Sequence, residues 1–257
     1  MTQPIPLACD VYDDRPCLVL LHGFPLDRRM WQRQGAALRG VARVLAPDLP
    51  GFGASLTVTA PPQLDAWADR VEELLARRLG DEPAVVCGMS MGGYVALRLA
   101  ARHPQRLRGL VLADSRATAD DAAGKQNRDR AIQTVRRQGV QALVEEMLPK
   151  LLRPSASQQV KDEVRRLALE QSVPAVVAAQ AAMRDRPDST SVLGTLAVPS
   201  LVLVGSEDTL TPVESSQALA RVLPNSRLEV IDGAGHLSNL EAPDAFTAAL
   251  RGFLAIV

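Results

Sequence analysis

No stretch of the 257-residue chain is apolar over the ~20 residues needed to cross a bilayer. Its opening residues, MTQPIPLACDVYDDRP, lack the basic segment and apolar core of a secretory leader, so none is expected. Excess charge of either sign is absent too: 29 basic residues balance 29 acidic ones. A net charge of zero gives nucleic acid or an anionic membrane no electrostatic reason to bind, so neither is expected as a partner. Lysine is scarce, only Lys125, Lys150 and Lys161 among the basic residues, an imbalance that reads as genomic composition. The three cysteines, Cys9, Cys17 and Cys87, are odd in number, and two lie in or beside strand-like runs. They read as reduced core residues, which fits a cytoplasmic location. Also missing are a GxxxxGKS/T phosphate loop, an HExxH pair and any paired Cys/His ligand spacing. Nothing in the sequence speaks to oligomeric state.

What is present is 47% hydrophobic, enough for one large domain with a substantial core. Apolar runs recur at residues 17–23, 42–48, 83–88, 107–114, 199–205 and 226–233, with helical segments between most of them. Their near-continuous hydrophobicity predicts strands covered on both faces, and their alternation with helices predicts a mostly parallel sheet in an α/β layer fold. Between Asp114 and Pro199 the pattern becomes wholly helical. Val140, Leu143, Val144, Met147, Leu148 and Leu151 repeat at helical spacing, as do Val160, Val164 and Leu167. Pro149 is expected to bend or end the first of these helices. The division is therefore a core of residues 1–115 and 195–257 with an insertion over 116–194. That insertion reads as a lid over the carboxyl ends of the strands, or as extra helices on the sheet edge.

One stretch asks for chemistry. VVCGMSMGGYVALRLAARHP, residues 85–104, sets Ser90 between Gly88 and Gly92. Alone the Gly-x-Ser-x-Gly pattern is weak, because roughly one chain in ten of this length carries it by chance. Its context is specific: a buried strand ends just before it, and an Ala-rich helix stopped by His103-Pro104 begins just after it. Ser90 then stands on a sharp strand-to-helix turn, where side chains at either flanking position would crowd the backbone.

A serine hydroxyl needs a base, and the base needs an orienting group. Of three histidines, His103 closes a helix, where the dipole favours a cation. His22, in LLHGFP, directly follows a strand. His236, in VIDGAGHLSNLEAP, sits in a Gly-rich loop at a strand end and is the favoured base. Asp208, in LVLVGSEDTLTP, lies between serine and histidine in chain order and is the favoured acid. Adjacent Glu207 would face another way, and Asp114 at the end of LVLAD is the alternative acid. Two N–H donors should face the developing oxyanion: that of Met91, after the nucleophile, and that of Phe24. Pro25 has no N–H to offer. His22 would brace the Phe24 loop through side-chain hydrogen bonds.

Taken in order, HGFP, DLPGFGAS (48–55), GMSMGG, GSEDTLTP and GAGHLSNLEAP make the chain resemble the α/β-hydrolase superfamily over nearly its whole length. The resemblance implies a parallel-rich sheet, a Ser90–His236–Asp208 triad, no metal and no organic cofactor. The branches it looks closest to are small carboxylesterases, enol-lactonases and cofactor-free perhydrolases. About sixteen residues precede the 17–23 strand, so the family's N-terminal hairpin should be trimmed to one strand near Leu7–Tyr12.

The reading is a serine esterase or lactonase acting on small to medium, largely apolar substrates through an acyl-enzyme. Activity should rise with pH as His236 loses its proton. Alternatives on the same triad are a perhydrolase of the haloperoxidase type, a hydroxynitrile lyase, or a ligand-binding protein without turnover. The pocket is expected from Leu143, Met147 and Met183 of the insertion with Leu210 and Leu237 from the sheet loops. The charged run RDRAIQTVRRQG reads as a solvated helical face.

Overall fold

The computed structural model describes residues 7–11, 16–55 and 62–257. The chain opens with β1 (Cys9–Val11), β2 (Cys17–Leu21), α1 (Gln32–Ala37), β3 (Arg43–Pro47), α2 (Leu64–Leu79) and β4 (Ala84–Met89). Next come α3 (Met91–Arg102) and β5 (Leu107–Ala113). Five helices follow without a strand: α4 (Ala122–Gln138), α5 (Val140–Leu151), α6 (Gln158–Leu169), α7 (Val173–Arg184) and α8 (Thr190–Leu193). The chain then resumes with β6 (Ser200–Gly205), α9 (Val213–Val222), β7 (Ser226–Ile231), α10 (Ser238–Glu241) and α11 (Pro243–Leu254).

The strands form one sheet in the order β1-β3-β2-β4-β5-β6-β7. All pair in parallel except β1, which runs antiparallel to β3 from Cys9 opposite Pro47 to Val11 opposite Leu45. β1 lies where a strand is expected near Leu7–Tyr12; Tyr12 itself lies outside the described residues. Every residue of β2, β4 and β6 is buried, as a strand covered on both faces requires. The last strand departs from that expectation. β7 forms the far edge, half-exposed along most of its length, with Val230 46% exposed.

The order places a switch point between β2 and β4: from β2 the chain steps to β3 on one side, and from β4 to β5 on the other. Loops leaving the carboxyl ends at such a point diverge and open a crevice. The loops after β2 and β4 carry Phe24 and Ser90.

The helical stretch between β5 and β6 is as the spacing predicts, and α4 packs on α5 and α7 while α5 packs on α6. Pro149 does not bend α5 to an early end. It lies inside the helix, which runs on to Leu151, with the Leu152 N–H still reaching the Leu148 carbonyl at 3.3 Å. Proline near a helix end forfeits only one backbone bond there. His103 closes α3 and sets Nε2 2.8 Å from Asp69.

Candidate active site

Ser90 connects β4 to α3 with φ +51°, a left-handed backbone that a residue with a side chain rarely adopts. The turn is held on both sides: the Ser90 N–H donates to the Ala113 carbonyl at 2.9 Å, and Ser115 Oγ donates to the Ser90 carbonyl at 2.9 Å. Its glycines have no room to be anything else. A Cβ at Gly88 would strike the Gly92 backbone, one at Gly92 the Leu21 carbonyl, and one at Gly93 the Ser115 hydroxyl.

His236, three residues past Gly233, places Nε2 2.8 Å from Ser90 Oγ and Nδ1 2.8 Å from Asp208 Oδ2. The three side chains come from the ends of β4, β6 and β7 and make one unbroken chain of hydrogen bonds. Asp208 is fixed by its own turn, since Oδ1 accepts from the Leu210 and Thr211 N–H groups at 2.8 and 3.0 Å. Thr211 Oγ1 donates to Oδ2 at 2.6 Å. Burial alone would raise the Asp208 carboxyl, but the His236 and Thr211 hydrogen bonds hold it below the usual carboxylate value. A carboxylate that stays ionised can hold the imidazole tautomer with Nδ1–H toward itself and Nε2 free to take a proton. Thr211 was not singled out from the sequence. Its signal was the Asp-x-x-Thr turn, in which a short polar side chain bonds the backbone two to three residues on.

Glu207 faces away, 3.6 Å from Arg153. Asp114 is buried beside the site but spends its oxygens elsewhere. Oδ1 accepts from the Gly205 N–H at 2.8 Å, and Oδ2 from the Ser238 hydroxyl. The alternative acid is therefore not bonded to His236.

Met91 is the first residue of α3, so its N–H has no intrahelical acceptor. Among the described residues the Phe24 N–H likewise donates to nothing. Both residues flank Ser90, on the loops that diverge at the switch point, and a helix N-terminus adds favourable potential for negative charge. His22 is hydrogen-bonded through both ring nitrogens. Its Nε2 accepts from the Leu49 N–H at 2.9 Å, so Nδ1 carries the proton and donates to the Gly23 carbonyl at 3.0 Å. It thereby clamps the HGFP loop to the DLPGFG loop. Burial pushes this imidazole below its ordinary value, which keeps it neutral in that role. A second clamp comes from the insertion: Gln171 Nε2 donates to Asp27 Oδ2 at 2.8 Å while its Oε1 accepts from the Gly53 N–H at 3.1 Å.

A cavity of about 120 Å³ opens on Ser90 and His236. Of the five residues named from the sequence, Met147, Met183 and Leu210 line it. Leu143 and Leu237 do not. Leu143 sits one helical turn before Met147, and a turn advances 5.4 Å, which carries it past the cavity into the core. Leu237 turns into the core as its N–H bonds the Leu151 carbonyl at 3.1 Å. In their place stand Phe24, Tyr94, Leu151 and two arginines, Arg116 and Arg128. Arg128 corrects the reading of the 128–139 run as a solvated face: its neighbours Asp129 and Arg130 are exposed, but it turns inward. Among the described residues, no group of three or more His, Cys, Asp or Glu side chains is placed to hold a metal ion. No helix there is long and apolar enough to cross a membrane.

Residues 16–243 match a family model described as the alpha/beta hydrolase fold. A 3-oxoadipate enol-lactonase of Acinetobacter baylyi is 30% identical over 94% of this chain and 89% of its own length. A pimeloyl-[acyl-carrier protein] methyl ester esterase of Aromatoleum aromaticum is 34% identical over 90% of this chain and 95% of its own. Among solved structures, a thermophilic esterase from Thermogutta terrifontis, malate bound, superposes with a TM-score of 0.94. It is 40% identical, over 97% of this chain and 93% of that one.

Proposed function

This chain is a member of the alpha/beta hydrolase family, and from that premise we propose that it hydrolyses carboxylic esters or lactones through an acyl-enzyme on Ser90. The observation that carries the reading is the unbroken relay from Ser90 Oγ through His236 to Asp208, 2.8 Å at each link, on a turn strained to present the serine. The kinship to an enol-lactonase and to methyl ester and thermophilic esterases supports the same chemistry.

In the acylation half, Ser90 Oγ attacks the carbonyl carbon while His236 Nε2 takes the hydroxyl proton. The electron pair moved onto the carbonyl oxygen is met by the Met91 and Phe24 N–H groups. As the tetrahedral species collapses, His236 returns the proton to the departing alkoxide, leaving the acyl group on Ser90. Water then repeats the sequence, with His236 as base, and releases the acid and the serine. Asp208 stays ionised throughout and stabilises the imidazolium that forms twice per turnover.

Residues 116–194 form the lid over this site on a core of 1–115 and 195–257, because α4, α5 and α7 supply the cavity wall opposite Ser90. The test is hydrolysis of p-nitrophenyl acetate and butyrate by the protein and by Ser90→Ala, with mass analysis after a fluorophosphonate. Turnover lost with the serine, and a single phosphonyl adduct on Ser90, would support the reading. Turnover unchanged in Ser90→Ala, or an unlabelled Ser90, would overturn it.

A further inference from the structure

The cavity beside Ser90 is lined by methionine and leucine on one part of its wall and by two guanidinium groups on another. Arg116 follows β5 directly, and Arg128 reaches in from α4 on the insertion. Both pair with one carboxylate, Asp120: Arg116 Nη2 donates to Oδ1 and Arg128 Nε to Oδ2, each at 3.0 Å. A third, nearly inaccessible guanidinium shares it, as Arg186 Nη2 donates to Asp120 Oδ1 at 2.8 Å and its Cζ lies 4.3 Å over the Tyr94 ring. Burial would raise the Asp120 carboxyl, but Arg186 and Arg128 hold it below the ordinary value, so it is ionised.

Three positive charges against Asp120 leave two in excess, and one remains when Asp188, which feels the Arg186 charge, is counted as well. Of the three, Arg116 and Arg128 are the pair that borders the cavity. Arg186 is otherwise committed to the Thr118 and Met183 carbonyls. Arg128 spends Nη1 on Gln180 Oε1 at 3.1 Å. Arg116 is the under-used member: among the described residues only its Nη2 is hydrogen-bonded, and its Nε is buried with no acceptor. A buried donor left without a partner costs free energy that an incoming acceptor would recover. A guanidinium presents a planar fork that matches a carboxylate.

Resting on the ester or lactone reading above, we infer that the substrate itself carries a carboxylate, which Arg116 receives with support from Arg128 while the scissile carbonyl lies at Ser90. The apolar part of the wall, Met147, Leu151 and Met183, then holds only the short stem between the two groups. The expectation of a largely apolar substrate is sharpened to one that is apolar in its middle and anionic at one end.

The experiment compares esters whose second carboxyl is either free or methylated, with release of the product common to each pair followed and the diester rate corrected for its second ester. Monomethyl glutarate against dimethyl glutarate puts the carboxylate on the acyl arm; acetoxyacetate against its methyl ester puts it on the alcohol arm. In one of the two pairs the charged ester should have the larger kcat/KM by roughly 10- to 100-fold, the range of a charge-assisted hydrogen bond. That ratio should shrink with added salt, since Arg116 is partly open to solvent. It should collapse in Arg116→Gln and recover in part in Arg116→Lys, which also guards against a misfolded variant. If the neutral ester is used as well or better in both pairs, with turnover still lost in Ser90→Ala, the inference falls and the ester reading stands. If no ester is turned over, calorimetry of monomethyl glutarate against dimethyl glutarate on Ser90→Ala decides. Binding that needs the charge and Arg116 upholds the anion site without esterase chemistry; no discrimination overturns it.

Discussion

Asp114 and Asp208 stand at the carboxyl ends of the adjacent parallel strands β5 and β6, yet His236 is bonded to Asp208 alone. Three residues of β6–α9 turn separate the two outcomes. Asp208 is carried forward by the turn that Thr211 closes, while Asp114, at φ +46°, folds back onto the Gly205 N–H and the Ser238 hydroxyl. One carboxylate orients the imidazole, and the other ties the β6 and His236 loops together beneath it.

Asp208→Asn removes the charge that stabilises the imidazolium and presents an amide able to bond the wrong tautomer. Turnover of p-nitrophenyl butyrate should fall on the order of 10⁴-fold. Asp114→Asn should cost less than about tenfold, because the amide oxygen still accepts from Gly205 and asparagine tolerates a positive φ. A reversed ranking in parallel assays would reassign the acid to Asp114.

The same aspartate sets a pH dependence of stability. Burial, reinforced by the nearby Asp208 charge, raises the Asp114 carboxyl well above its ordinary value. The folded protein therefore holds that proton more tightly than the unfolded chain does. From the unfolded value of about 4 upward to the folded one, stability declines as pH rises. Asp114→Asn cannot lose a proton and lacks this slope, so its Tm relative to the parent should climb between pH 4 and pH 8. A Tm difference that stays constant or narrows over that range would contradict the burial account. Asp208 works in the opposite sense: its lowered carboxyl contributes stability at neutral pH that is lost as pH falls through the folded value.

His22→Ala should loosen the loop that carries Phe24, the proposed oxyanion donor, without touching the Ser90–His236–Asp208 hydrogen bonds. The change strips the Leu49 N–H and the Gly23 carbonyl of their partner, and a buried unsatisfied group costs about 1–3 kcal/mol. The fall in Tm should be accompanied by a loss in kcat of roughly 10- to 100-fold with little change in KM, because displaced Phe24 N–H matters only as charge develops. A fall in Tm alone, with kcat intact, would make His22 a packing residue and nothing more.

Much of this site could be read before the fold because its parts are local. Ser90 is announced by a strand, two glycines and a helix within twenty residues, and His236 and Asp208 each sit in one short loop at a strand end. The pocket was legible only in part because its wall is assembled over long range. Leu143 and Met147 share a helix face, and only the crossing of α5 over the cavity decides that the second lines it. Arg128 reads as one more charge in an arginine-rich helix until Asp120, just ahead of that helix, and Gln180, far along the chain on α7, accept from its guanidinium and draw it inward. The edge character of β7 was hidden for the same reason, since an apolar run does not say what will pack on it.

Acyl-chain length should test the proposal that the insertion closes over Ser90 as a lid. The cavity of about 120 Å³ is slightly smaller than the roughly 150 Å³ that accommodates benzene in an engineered protein core. A butyryl group is within that size; an octanoyl group must displace Met147, Leu151 or Met183, which are packed against the core. Forcing extra methylenes into a packed space costs about 1–3 kcal/mol, so kcat/KM for p-nitrophenyl octanoate should lie roughly 10- to 100-fold below that for the butyrate. Met147→Ala, by widening the wall at the half-buried end of α5, should narrow the gap from the octanoate side. Equal use of both esters by the parent would mean that α4, α5 and α7 yield readily over the sheet, and the cavity seen here would then be one of at least two states of the proposed lid.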